Sequence, residues 1–266
     1  MRLFTFLLLL ASPAVACEGR EPCLIGDRSY HLRVPDGWDG VSRLPVLLHF
    51  HGWGRQGDLV VRHGRIATLD VAEKALLLAP NGLNKTWSFR RADSPDSAFA
   101  AAVIEDAARR FPVDRSQIFV SGYSWGANMA WRFACDAGRG LAGVYAVSGT
   151  LPQTSECAEA PEEFRQVFGL DDGVLAFPMG PGGDTTYPVA LWRAKMGCGD
   201  GTQLGSWNAR PFLTFTRTVW ECEGGRVVMD VHPGGHFIPH DWIPLQFSDA
   251  LAGSREATQA KGAPRD

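Results

Sequence analysis

Short, almost continuous apolar runs recur along the chain at 30–34, 45–50, 75–79, 118–121, 143–147, 165–168 and 227–231. Longer segments with apolar residues at helical spacing lie between them, at 58–73, 95–110, 127–137, 186–196 and 245–251. Strands that are apolar at successive positions predict a sheet covered on both faces. The alternation of strand and helix predicts an α/β fold in which that sheet is mostly parallel. In 95–110, Phe99, Ala102, Val103 and Ala107 share one face, and Asp106 and Arg110 come together on the outer one. No internal repeat is visible. The Gly/Pro-rich stretch 178–184 reads as a loop, because the segments on either side of it read as parts of one sheet.

The two ends depart from this pattern. Arg2, the apolar stretch 3–11 and the small residues Ala14-Val15-Ala16 have the order of a signal peptide over 1–16, too short to span a bilayer. Cleavage there leaves about 250 residues, the size of a single domain, expected over 17–253. Cys17 then becomes the N-terminus, which raises lipoprotein anchoring as the rival reading. Ala14, where lipoprotein signals usually carry a larger aliphatic residue, favours plain export to the periplasm or beyond. At the other end, 254–266 is polar and turn-prone, and a flexible tail is expected.

Export changes how the six cysteines are read. An even number in an oxidising compartment predicts disulfides, with 15 connectivities open. None forms the closely spaced pairs of a zinc site. The net charge of −3, with no basic run, argues against nucleic acid and anionic membranes as partners.

Candidate chemistry is concentrated at the ends of the apolar runs. Gly122-Tyr123-Ser124-Trp125-Gly126 lies between the run 118–121 and the helical segment 127–137. A strand, a Gly-Xaa-Ser-Xaa-Gly turn and a helix make the nucleophile elbow of the α/β-hydrolases, so the expected fold is an α/β-hydrolase with helices on both faces of its sheet. Ser124 is then the candidate nucleophile, and a hydroxyl needs a base that is itself held by an acid. Of the histidines after Ser124, His236 sits in a Gly-Gly-His turn just past the last run, where this fold delivers its base. His232 reads as the end of that strand and His240 as a loop residue. Their four-residue spacing could align a metal site on a helix, but Pro233, Gly234, Gly235 and Pro239 break any helix there, so no metal is expected.

The acid should follow a strand between Ser124 and His236, and Asp171-Asp172 stands at such a strand end. Adjacent residues cannot both face one imidazole. An oxyanion hole needs two N–H donors: one from Trp125, after the nucleophile, and one from the loop after an early strand. Leu48-His49-Phe50-His51-Gly52-Trp53-Gly54 supplies that loop, with the Trp53 N–H as donor and His51 as its brace. Trp53, Trp87 and Trp125 are candidate walls of an acyl cleft.

His51-Gly52, the elbow, Phe168-Gly169-Leu170-Asp171-Asp172, Gly197-Cys198 and Gly234-Gly235-His236-Phe237-Ile238-Pro239 occur in the order found in one family. The chain resembles secreted polyhydroxybutyrate-depolymerase-like esterases, a group that also holds feruloyl and acetylxylan esterases. The resemblance covers nearly the whole chain after 1–16. It maps the acid onto Asp172, and implies disulfides Cys198–Cys222 and Cys135–Cys157. It departs at Phe168 and Leu170, where the family has His and Thr, and at Phe237 and Ile238, where the family has Thr and Trp. Those departures bear on substrate preference.

The expectation is a monomeric serine carboxylic ester hydrolase that acts through an acyl-enzyme on small or polymer-derived esters, with no cofactor. Two alternatives use the same residues: a silent hydrolase-like binding module, and an acetylxylan esterase or acyltransferase with the same triad.

Overall fold

The computed structural model describes residues 17–18 and 21–262, with side chains described as far as Gly253. The segment 1–16, read as a signal peptide, lies outside the described residues. A short hairpin, β1 (Cys23–Ile25) and β2 (Arg28–Arg33), is followed by β3 (Leu44–Phe50), β4 (Leu76–Pro80), β5 (Val113–Tyr123), β6 (Gly143–Val147) and β7 (Glu163–Gly169). Then come β8 (Thr202–Arg210), β9 (Leu213–Cys222) and β10 (Gly225–His232). They form one ten-stranded sheet in the order β1-β2-β4-β3-β5-β6-β7-β10-β9-β8. The strands from β4 across to β10 pair in parallel, and antiparallel pairing is confined to the two ends. Each predicted apolar run lies within one of these strands or overlaps it. The core strands β4, β6 and β7 are buried at every position, as expected of a sheet with both faces covered.

The helices divide between the two faces. α3 (Pro95–Arg110), α4 (Trp125–Ala137) and α5 (Ala190–Lys195) contribute Phe99, Val103, Met129 and Trp192 to one apolar layer. α1 (Gly57–Val60), α2 (Leu69–Lys74) and α6 (Trp242–Gly262) contribute Val60, Val71, Ile243 and Phe247 to the other. α3 has the boundaries that its spacing predicts, because the local signals agree: Ser94 accepts the Asp96 N–H as N-cap and Pro95 opens the first turn.

Several expectations are corrected. The single helix expected at 58–73 is two short ones, α1 and α2, with a turn-rich link around Gly64. Val60, Val61, Ile66 and Val71 are all buried, so the apolar positions belong to the core although the backbone does not run straight between them. Asp106 meets Arg109 and Arg110 at 2.7 and 2.8 Å, yet it is only 7 % exposed and does not lie on the outer face. The buried Tyr30 hydroxyl donates to it at 2.8 Å, a demand that arises from the sheet edge and not from the helix. The segment 186–196 is a single 3-10 turn, Tyr187–Val189, followed by the short α5. Backbone helix also continues to Gly262, where a turn-prone tail from Ser254 was expected.

Three disulfides are present: Cys17–Cys23, Cys135–Cys157 and Cys198–Cys222. The second and third are those the family resemblance implies. Cys198–Cys222 ties the turn after α5 to the end of β9, and closes 24 residues of sequence. A cross-link over a loop of that length is worth about 3 kcal/mol in the chain-entropy model. Serine at both positions is therefore expected to lower urea-unfolding stability by that order, while Gly199 N–H to Glu221 O at 3.0 Å holds the native turn. An unchanged unfolding midpoint would show that the bridge adds nothing.

Candidate active site

The elbow is built by close approach. Ser124 has φ 58° and ψ −123°, a strained conformation that turns the chain from β5 into α4 within one residue. Its N–H donates to Val147 O at 2.9 Å, and its carbonyl accepts from Ala127 and Asn128 in the first turn of α4. Both flanking glycines are sterically required. A Cβ on Gly122 would sit 2.1 Å from Gly126 O, and one on Gly126 would sit 2.0 Å from Phe50 O. The serine hydroxyl is thereby held at the carboxyl edge of the sheet, where open α/β sheets place their ligands.

The partners of Ser124 come from two adjacent parallel strands. β7 and β10 pair from Arg226 against Glu163 to His232 against Gly169, so the loops that follow them emerge side by side. Leu170 N–H donates to His232 O at 2.8 Å and Asp171 N–H to Gly234 O at 3.2 Å, which zips the two loops together. Asp172 Oδ2 lies 2.7 Å from His236 Nδ1, and His236 Nε2 lies 2.9 Å from Ser124 Oγ. The other carboxylate oxygen of Asp172 accepts the Val174 and Leu175 N–H groups, each at 2.9 Å, so the acid is fixed as well as placed. Asp171 is exposed, and among the described residues its carboxylate makes no hydrogen bond or ion pair. Tyr123 was not among the sequence candidates. Its hydroxyl donates to His236 O at 3.1 Å, and its ring lies 4.9 Å from the imidazole. It occupies a variable position of the elbow motif, which gave no signal of this contact.

The loop after β3 carries the expected second oxyanion donor. Among the described residues, neither the Trp53 nor the Trp125 backbone N–H has a hydrogen-bond acceptor. His51 locks the loop. Its Nδ1 lies 2.8 Å from Gly52 O and must carry the proton, and its Nε2 accepts the Gly82 N–H at 3.0 Å. Trp87 is 5 % exposed, donates to His51 O at 2.7 Å and packs its ring 4.5 Å from the imidazole. Its ring supports the loop from beneath and lines the neighbouring cavity, not the one that holds Ser124.

Three buried histidines are held neutral here. Burial pulls His51 down to about 4, against smaller upward pulls from Gly52 O, Asp96 and Asp58. Burial likewise takes His49, hydrogen-bonded to Ser121 Oγ at 2.7 Å, to about 3. It takes His232, which accepts the Gly234 N–H, to about 4. Between about pH 6.5 and pH 4 the unfolded chain binds protons at these sites and the native chain does not. Stability is therefore full above about pH 6.5 and falls as the pH drops towards 4, by up to ~1.4 kcal/mol per pH unit for each histidine. Urea unfolding from pH 7.5 to pH 4.5 checks this, and a flat profile would contradict it.

A cleft of about 540 Å³ opens over Ser124 and His236, with Trp53, Arg55, Tyr123, Trp125 and Val174 in its wall. Trp53 is 67 % exposed and Val174 69 %, an unusual display of apolar surface at a rim. The Trp53 and Trp125 rings stand 6.3 Å apart. Val174 and Arg55 were not predicted, since nothing in their local sequence marks them. His240, expected in a loop, lies in the turn before α6, with its ring 6.0 Å from Phe212. Among the described residues no cluster of His, Cys, Asp or Glu is arranged to hold a metal ion, and no helix is long and apolar enough to cross a membrane.

No family model matches the chain. It is 30 % identical over 252 residues to "Probable feruloyl esterase C" of Aspergillus niger, covering 88 % of this chain and 86 % of that one. Against "Feruloyl esterase D" of Neurospora crassa the identity is 27 %, over 88 % of this chain and 89 % of the relative. Among solved structures, an acetyl xylan esterase from Aspergillus awamori superposes with a TM-score of 0.62 at 13 % identity, over 84 % of this chain and 94 % of that one. A Bacillus cereus carboxylesterase superposes with a TM-score of 0.52 at 17 % identity, over 85 % and 95 %. These two likenesses carry the fold, and the sequence relatives carry the family. With its α/β-hydrolase sheet and its serine set in a strained elbow, the chain belongs to the feruloyl esterase-like family and is a serine carboxylic ester hydrolase.

Proposed function

We propose that the enzyme cleaves hydroxycinnamoyl and similar aryl-acyl esters, with Ser124 as nucleophile, His236 as base and Asp172 as the acid that orients it. The observation that carries this reading is the unbroken chain Asp172 Oδ2–His236 Nδ1, His236 Nε2–Ser124 Oγ in the floor of an aromatic-walled cleft. Ser124 Oγ attacks the ester carbonyl as its proton passes to His236 Nε2. Asp172 keeps Nδ1–H in place and stabilises the imidazolium that forms. The Trp53 and Trp125 N–H groups receive the charge that develops on the carbonyl oxygen. Collapse expels the alcohol, which takes the proton from His236. Water then repeats the sequence on the acyl-enzyme, giving the free acid and restoring the serine. The Trp53 and Trp125 rings offer flat apolar surface to a planar acyl group. The feruloyl esterases among the relatives favour the same acyl class.

Residues 1–16 act in this reading as a cleaved export signal, and 17–253 as one catalytic unit. The Cys17–Cys23 bridge occupies the sulfur that lipid attachment would need, which favours plain secretion over anchoring. The test is a panel of methyl ferulate, acetylated xylan and hydroxybutyrate oligomers on the purified enzyme. The highest kcat/KM is expected on methyl ferulate. A clear preference for hydroxybutyrate oligomers or for acetylated xylan would overturn the acyl assignment.

A further inference from the structure

The cleft that holds Ser124 contains one permanently charged side chain, Arg55. It is exposed, and among the described residues it makes no ion pair or side-chain hydrogen bond. The acids around it are already engaged. Asp58 is held by Arg62 at 2.8 Å, and Asp172 by His236 at 2.7 Å. The backbone of Arg55 is not free to drift. Its N–H closes a turn onto Gly52 O at 3.2 Å, and Gly54 N–H is tied to Lys85 O at 2.9 Å. An unpaired guanidinium is thus presented from the same turn as the expected oxyanion donor.

The charge does not stand alone. The adjoining cavity across Trp125 is rimmed by Arg90 and Arg91, both exposed and without an acidic partner among the described residues. Its one acid, Asp96, is buried against Arg28 at 2.7 Å. A chain of net charge −3 therefore carries three arginines without acidic partners on its Ser124 cleft and the cavity that adjoins it across Trp125. Surface arginines usually serve solubility, and such groups are spread among acids. Here Arg55 stands in the wall of the Ser124 cleft and Arg90 and Arg91 rim the cavity beside it, and a planar guanidinium recognises a carboxylate in a fixed geometry.

We propose that Arg55 is a specificity-determining residue, and that it pairs with a carboxylate carried on the alcohol side of the ester, close to the scissile bond. This deepens the reading of the same catalytic site and rests on it, but it concerns the leaving group and not the acyl group. Esters of hydroxy acids and of acidic sugars are the substrate class that fits. Arg90 and Arg91 add attraction at longer range.

Four esters test this: acetyl and feruloyl groups, each on glycolate and on glycolamide, with rates normalised to their hydroxide-catalysed hydrolysis. The parent enzyme is expected to favour glycolate over glycolamide by about fivefold or more in kcat/KM at low salt, mainly through KM and with either acyl group. Arg55→Gln should bring that ratio close to one, and Arg55→Lys should retain part of it. Raising NaCl to about 500 mM should compress the ratio of the parent and leave that of Arg55→Gln unmoved. A parent ratio near one, or a ratio that survives in Arg55→Gln, would overturn the proposal. The feruloyl-to-acetyl ratio is read from the same data and reports separately on the acyl assignment.

Discussion

Ser124→Ala should lower ester hydrolysis by at least about ten-thousand-fold while leaving the fold in place. The expected loss is large because in the proposed mechanism Oγ is the atom that forms the acyl-enzyme, and Ser124 is the one serine among the described residues that lines the cleft. The expected retention of fold is as specific. Among the described hydrogen bonds the hydroxyl makes only the one to His236, while the backbone bonds to Val147, Ala127 and Asn128 do not involve it. Alanine meets the same φ of 58° at similar strain. Two measurements check it together: fluorophosphonate labelling, which should be lost, and the unfolding midpoint, which should shift little. A variant that still takes the label would place the nucleophile elsewhere.

Asp172→Asn is expected to cost roughly ten-thousand-fold in kcat, and Asp171→Asn less than about twofold. The surroundings of Asp172 dictate the failure. Val174 and Leu175 N–H groups bind one carboxylate oxygen, so an amide at this position keeps its oxygen there and turns its NH2 towards His236. A donor facing Nδ1 forces the proton onto Nε2, and an imidazole protonated at Nε2 cannot accept from Ser124. Asp171, whose side chain is exposed, has no comparable partner to lose. Rate constants for the two variants at one pH decide the matter, and the reverse ranking would assign the acid to Asp171.

Much of this site was legible because its parts obey local rules. The elbow demands two glycines and a serine in five consecutive residues, and the structure gives each glycine a backbone carbonyl about 2 Å from where its Cβ would be. His236 was legible from its place after the last strand, and α3 from the spacing of its apolar positions. The β8–β9 hairpin was missed for two different reasons. β8 is exposed along most of its length and has no apolar face to detect, whereas β9 buries Leu213 and Phe215 in one layer and Trp220 in the other, so no single alternation marks it.

The sequence by itself determined the fold class, the candidate nucleophile and its candidate base, and most of the positions that enter the core. Those properties depend on hydrophobic period and on short-range backbone geometry, which neighbouring residues encode. Which carboxylate meets His236 was decided by tertiary structure, because Asp171 and Asp172 are chemically alike and differ only in where the zipped β7 and β10 loops aim them. The same holds for Tyr123 against His236, for Trp87 beneath the loop after β3 and for Arg55 in the cleft wall. Each of those roles arises where segments far apart in sequence converge, and a side chain's partners across such a gap are set by strand order and register, not by the residues beside it.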